Sequence, residues 1–190
     1  MAHLDFMLPT DAGHVLLPIA RAAIGETLGQ KIELANSLPG WLHENAACFV
    51  TLHRHGELRG CIGTIEAYRP LIKDVKANAV SAAMRDPRFT PLQRAEFEHI
   101  DIEVSVLSPT EAMSFSDELD VLSQIRIGVD GLVLEWRGHR GTFLPQVWES
   151  LPNKQDFLQQ LKRKAGLPAN FWAVDLNLYR YTVSQWSEKD

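Results

Sequence analysis

The sequence predicts an α+β fold: a mostly antiparallel sheet with flanking helices. Two observations carry this expectation. Runs that alternate apolar and polar residues come in hairpins, and strands do not alternate strictly with helices, as a doubly wound parallel sheet requires. The chain has 190 residues, a length that fits one domain with room for two lobes.

The first element is a helix. Thr10 or Asp11 is placed to cap it, and Leu16, Leu17, Ala20, Ala23, Ile24 and Leu28 recur at helical spacing. Pro39-Gly40 then marks a loop. The run AACFVTLHRHGELRGCIGT, residues 46–64, alternates on both sides of Gly56 and reads as a hairpin. A three-residue loop, Arg54-His55-Gly56, would pair His53 with Glu57, Thr51 with Arg59 and Phe49 with Cys61. That register sorts Cys48, Val50, Leu52, Leu58, Gly60 and Ile62 onto one face. Phe49, Thr51, His53, Glu57, Arg59, Cys61 and Gly63 fall on the other. Cys48 and Cys61 therefore point apart and are not expected to form a disulfide.

A second helix spans residues 69–85, with Pro70 in its first turn and Leu71, Val75, Ala79 and Ala82 as its apolar stripe. It ends at DPRFTPL, residues 86–92, where two prolines forbid continuation. IDIEVSVLSP, residues 100–109, is a strand with Ile100, Ile102, Val104 and Val106 on one side and Asp101, Glu103, Ser105 and Leu107 on the other. Residues 116–125 form a short helix with Ser116 as cap. A second hairpin over residues 131–145 turns near Gly138-His139. Two helical stretches follow, the second capped by Asn153 and ended by Gly166. NLYRYTVSQW, residues 177–186, reads as one final strand.

Composition narrows the function. Nineteen basic and 24 acidic residues leave a net charge of −5, so the chain has no general attraction for nucleic-acid backbones. Lys162, Arg163 and Lys164 at a helix C-terminus complement the helix dipole, or form a small nucleic-acid patch with the aromatics that follow. No run approaches the ~20 apolar residues of a membrane helix, and the first residues lack the pattern of a secretory leader. A reduced, cytoplasmic protein with no membrane association is expected. Two cysteines make no disulfide framework, and neither CxxC nor HExxH occurs. His53 and His55 offer at most a weak zinc pair, so no metal is expected. No GxGxxG, P-loop or GxSxG motif calls for a cofactor.

LRGCIGT, residues 58–64, is the stretch that points to chemistry. It continues into Ile65, and the chain then carries AAMRDPRFTPL, EVSVLSP, GTFLPQV, DFLQQLKRKAGL and Trp172 in that order. In these motifs the chain resembles the AMMECR family, named for a chromosomal region tied to Alport syndrome, midface hypoplasia and elliptocytosis. Bacterial members of that family are labelled protein A of the AmmeMemoRadiSam system. The resemblance covers about residues 16–186. It implies a single two-lobed α+β domain with a cleft. It also implies neighbours: a Memo-like protein related to metal-dependent extradiol dioxygenases, and a radical SAM enzyme. A nucleic-acid or translation-linked role has been suggested for the family. The resemblance supplies a fold and partners rather than a reaction.

The residues themselves leave two readings open. In the first, Cys61 is a nucleophile or redox thiol and Glu103 a general base, with Arg59, Gly60, Gly63, Thr64 and Arg88 contacting the substrate. Arg59 would hold a carboxylate or phosphate in a fork geometry. In the second, Gly60 and Gly63 allow close packing, Cys61 is a small filler, Arg59 pairs with Glu103 or Asp86, and Arg88 locks Asp86. The first describes a small enzyme or enzyme component in a modification pathway. The second suits a non-enzymatic module that binds a protein or RNA partner.

Overall fold

The structure is a computed structural model, and it describes residues 8–34 and 37–189. The first seven residues, on which the expectation of no leader rests in part, lie outside the described residues. The chain forms two compact units. One comprises the residues up to Ser108 together with those from Ser184 onward, and the other is Pro109–Val183.

In the first unit, helices α1 (Gly13–Thr27) and α2 (Leu71–Met84) pack with a four-stranded sheet. Its strands are β1 (Cys48–Arg54), β2 (Glu57–Gly63), β3 (Ile100–Leu107) and β8 (Val183–Ser187), in the order β2-β1-β3-β8. Cys48, Val50 and Leu52 of β1 and Ile100, Ile102, Val104 and Val106 of β3 meet Leu16, Ile19 and Ile24 of α1 and Leu71, Val75, Ala79 and Ala82 of α2 in one core. The alternation within each strand thus commits one sheet face to the helices.

Neither Thr10 nor Asp11 caps α1 with its side chain. The preceding turn already winds into the helix, so the carbonyls of Pro9, Asp11 and Ala12 serve the first N–H groups. Gly13 opens the helix beneath Trp186, whose side chain stands where a Cβ would project.

The β1–β2 hairpin corrects the expected register. Its loop has two residues, His55 and Gly56, both with positive φ (53° and 84°), the geometry that matches the twist of the strands. Arg54 pairs with Glu57 and His53 with Leu58. A bulge between Leu52 and His53 then shifts the register, so that Leu52 faces Gly60, Thr51 faces Cys61, Val50 faces Ile62 and Phe49 faces Gly63. Arg59 is the extra residue of the bulge. Thr51 therefore pairs with Cys61 rather than Arg59, and Phe49 with Gly63 rather than Cys61. Leu58 leaves the apolar face and is 41% exposed.

The second unit carries β4 (Glu111–Ala112), α3 (Glu118–Gln124), β5 (Gly131–Trp136), β6 (His139–Phe143), α4 (Lys154–Lys164) and β7 (Asn177–Tyr181). Its sheet runs β4-β7-β5-β6, with a core of Leu132, Leu134, Phe157, Leu158 and Leu161 among others. Four expectations are corrected here. Asp117, not Ser116, caps α3, because its carboxylate accepts the Asp120 N–H while Ser116 donates to Asp120. The second hairpin turns at Arg137-Gly138, one residue early, with Trp136 opposite His139. The tail is two strands: β7 belongs to this sheet and β8 to the other. And Lys162, though in the last turn of α4 with Arg163 and Lys164 as expected, has no place in a nucleic-acid patch: it is fully buried, and its ammonium donates to Glu118 at 2.7 Å. Asn153 does cap α4, accepting from Gln155 and Asp156. Gly166 (φ 82°) closes it, with Leu167 N–H on Lys162 O and Gly166 N–H on Arg163 O, both at 2.9 Å.

Gly60 lies where the end of α2 crosses β2, and a Cβ there would strike the carbonyl oxygen of Ala82. Backbone cannot yield as a side chain can. Gly60→Ala is expected to lower unfolding stability by about 1–3 kcal/mol or more, read from urea denaturation.

Candidate functional site

The face of the first sheet that turns away from the helices carries the polar residues of the motif region. Cys61 on β2, Thr51 on β1 and Glu103 on β3 are successive cross-strand partners and form one row. The Thr51 hydroxyl lies 3.3 Å from the Cys61 sulfur. Cys61 is half-buried. Glu103 is half-buried too, one strand beyond Thr51.

β2 is the outer strand of its sheet, so the N–H and C=O of Cys61 point outward rather than to β1. The loop that follows α2 receives them. Pro87 and Pro91 stop the helix, and Asp86 turns the chain back, its carbonyl accepting from Phe89 N–H and its carboxylate from Arg88 N–H at 3.1 Å. The same carboxylate accepts the Cys61 N–H at 2.9 Å. Arg88 closes the clip, with Nε and Nη2 at 3.0 and 2.7 Å from Asp86. Its Nη2 also stands 3.5 Å from the Cys61 carbonyl oxygen. The Arg88 guanidinium, then the Cys61 and Arg88 N–H groups, hold the Asp86 carboxyl well below the usual carboxylate range.

Arg59 is engaged elsewhere. Its Nε and Nη2 each lie 3.1 Å from the two oxygens of Glu96, and Nη2 also donates to Thr90 O at 3.0 Å. Its ion-pair partner is thus Glu96, not Glu103 or Asp86. The fork geometry expected for a ligand is realised within the protein. Arg54 shares Glu96 at 2.8 Å, and the two cations with the Gln93 N–H keep Glu96 below its ordinary range, Arg59 contributing most. Arg59 Nη1 and Arg54 Nε are buried without an acceptor among the described residues.

Thr64 is also turned inward. Its hydroxyl donates to the buried Asp74 at 2.5 Å, beside Cys48 N–H, Arg69 Nε and Asn78 Nδ2 on the same carboxylate. Gly63 lies beneath the Phe49 ring, and Gly60 belongs to the opposite face, under α2. The structure therefore sets Cys61 and Glu103 in one row with Thr51 between them and Arg88 at the outer backbone edge of Cys61, and it places Arg59, Gly60, Gly63 and Thr64 in packing or ion-pair roles. Thr51, which the sequence places on the Cys61 face, and Asp86, which it pairs with Arg88, belong to the site although neither is among the expected site residues. Glu96 was missed as well; its one signal is the Gln93-to-Glu96 spacing of a capping box, which the structure forms. Among the described residues no cluster of three or more His, Cys, Asp or Glu is spaced to hold a metal ion. No helix among them is long and apolar enough to cross a membrane.

A glycine-framed cysteine hairpin, clipped at its edge by an Asp-Pro-Arg-Phe loop within a two-unit α+β chain, defines a recognisable class of protein. The chain belongs to the AMMECR1 family, whose model matches residues 17–186. It is similar to a protein of Methanothermobacter thermautotrophicus, 40% identical over 189 residues that cover 95% of this chain and 96% of that one. It is similar also to a protein of Methanocaldococcus jannaschii, 37% identical over 190 residues, covering 96% and 92%. A crystal structure of an uncharacterized protein from Pyrococcus horikoshii matches with a TM-score of 0.83 and 34% identity, over 96% of this chain and 94% of that one.

Because the folded state holds Asp86 below its unfolded value, its stabilising contribution is complete above the unfolded pKa of about 3.9 and fades as the pH falls below it. Asp86→Asn should therefore lower stability at pH 7, and the gap from the wild type should narrow by pH 3. Urea melts at the two pH values measure this.

Proposed function

We propose that the chain is a component of a modification pathway and acts through the polar face of its first sheet, with Cys61 as the reacting thiol. One observation carries the reading. The main-chain N–H of Cys61 is held by Asp86, its carbonyl oxygen is approached by Arg88 and its sulfur by Thr51, yet the residue stays half-exposed. The buried Cys48 has comparable anchors, on Asp74 and Asn78, but no access; Cys61 has both, and a reacting group needs both. Glu103, in the same row, takes the role of base. The Memo-like and radical SAM partners that the resemblance implies complete the proposal, and co-purification with tagged chain tests them. A cytoplasmic location fits a working thiol.

A second reading, a non-enzymatic binding module, is favoured by the internal commitment of Arg59 and Thr64, which leaves fewer groups for catalysis. In that case Cys61→Ser leaves partner binding intact.

Cys48 is an internal control. It is fully buried, and burial pushes its thiol well above the usual range. Iodoacetamide at pH 7 should modify Cys61 in the folded chain and spare Cys48 until urea is added, as peptide mass mapping would show. Equal protection of both thiols would return Cys61 to a packing role.

A further inference from the structure

The edge of β2 carries an electrical asymmetry that the thiol chemistry alone does not use. Asp86 and Glu96 both point into the protein, with side chains 2% and 15% exposed, whereas the Arg88 side chain that covers Asp86 is 54% exposed. The pair is a dipole with its negative end inside, on the Cys61 N–H, and its positive end in solvent. Arg88 spends Nε and Nη2 on Asp86, which leaves Nη1 uncommitted among the described residues. The Arg59 guanidinium is also close to this loop: both guanidinium carbons stand near the Phe89 ring, at 5.8 Å for Arg59 and 5.5 Å for Arg88. Around Glu96, two guanidiniums share one carboxylate, so that end of the strip has a cation in excess. Glu57, opposite Arg54 at the turn, and Glu103, beyond Thr51, are the acidic neighbours at its margins. The strip is a local exception on a chain of net charge −5.

Building on the thiol reading above, we infer that Arg88 selects the substrate: the Cys61 site takes molecules that present an anionic group, a carboxylate or phosphate, to the outward guanidinium of the Asp86–Arg88 clip. Asp86 fixes the orientation of that guanidinium, whose Nη2 stands 3.5 Å from the Cys61 carbonyl oxygen, so an anion held at Nη1 would be close to Cys61. At such a range, under the ~10 Å Debye length of 0.1 M salt, the attraction survives screening.

The test compares two alkylating reagents that differ in charge, iodoacetate and iodoacetamide, on the folded full chain, with a cysteine peptide as reference. Cys61 should favour iodoacetate over iodoacetamide, relative to the peptide, by up to about two- to threefold, the ceiling that an unpaired unit charge roughly 8 Å away gives in water. Arg88→Gln should remove the preference and Arg88→Lys should keep it, whereas a purely structural role for Arg88 would affect the two variants alike. High salt should erase it in the wild type. Cys61 that reacts with iodoacetamide but shows no anion preference, or keeps the preference in Arg88→Gln, overturns the inference and leaves the thiol reading standing. Cys61 inert to both reagents overturns both.

Discussion

The contact on which the rest of this architecture turns is a single side chain answering a strand edge. A terminal strand leaves outward N–H and C=O groups that must find partners. On β2 the donor at Cys61 is met by the Asp86 carboxylate, a charged acceptor and so a stronger one than a neighbouring strand's carbonyl. Asp86 arrives there because α2 lies flush against β2 at Gly60, so the chain leaving the helix is delivered directly beside the edge. The two prolines prevent it from winding on. Helix packing, glycine, proline and aspartate are thus one device rather than four features.

The second unit repeats part of the device, which clarifies what the glycines do. Its β5–β6 hairpin also turns through a residue with positive φ followed by glycine. A Cβ on Gly141 would come within 3.0 Å of α4 backbone, as one on Gly60 would meet α2. Gly131 lies under the Tyr181 ring as Gly63 lies under Phe49. Burial holds the Tyr181 hydroxyl, bonded to Phe143 O, up at about 12. Both hairpins therefore use glycine to admit a helix on one face and an aromatic ring on the other. The glycines of LRGCIG have a packing cause, and what sets this hairpin apart is the residue that lies between them. Only the first hairpin places a cysteine there, and only its edge is closed by an aspartate–arginine clip.

Much of this was legible in the sequence, and the limits have physical reasons. Helices and sheet faces were legible because burial follows period: Leu71, Val75, Ala79 and Ala82 are all in the core, as are Ile100, Ile102, Val104 and Val106. The family resemblance, too, is carried by the motifs. The hairpin register was not legible, because a bulge leaves no mark on alternation until Arg59 is seen to have no partner across the ladder. The division of the tail into β7 and β8 was not legible because nothing in the sequence at Thr182 signals that the chain changes sheets. Arg59's partner was invisible because Glu96 lies 37 positions away, and ion pairs that distant are set by topology. The burial of Lys162 was not legible because a lysine is rarely buried without a partner, and its partner, Glu118, is 44 residues off.

The two cysteines show how little separates a buried thiol from an accessible one. They sit on paired strands, 13 positions apart, each with a backbone N–H held by an aspartate: Asp74 for Cys48, Asp86 for Cys61. The difference is the face. Cys48 points into the helical core, where removal from water and the nearby Asp74 charge both disfavour a thiolate. Cys61 points the other way, toward a threonine hydroxyl, with an arginine bound to the aspartate at its backbone. Shift β2 by one residue and Cys61 turns toward the helices as well, so that both thiols face the core. The bulge at Arg59 matters for that reason: it carries the hairpin past its turn and restores the register in which Gly60 faces the helix and Cys61 does not. In this fold the placement of the thiol is decided by one extra residue in the strand, before any electrostatic tuning begins.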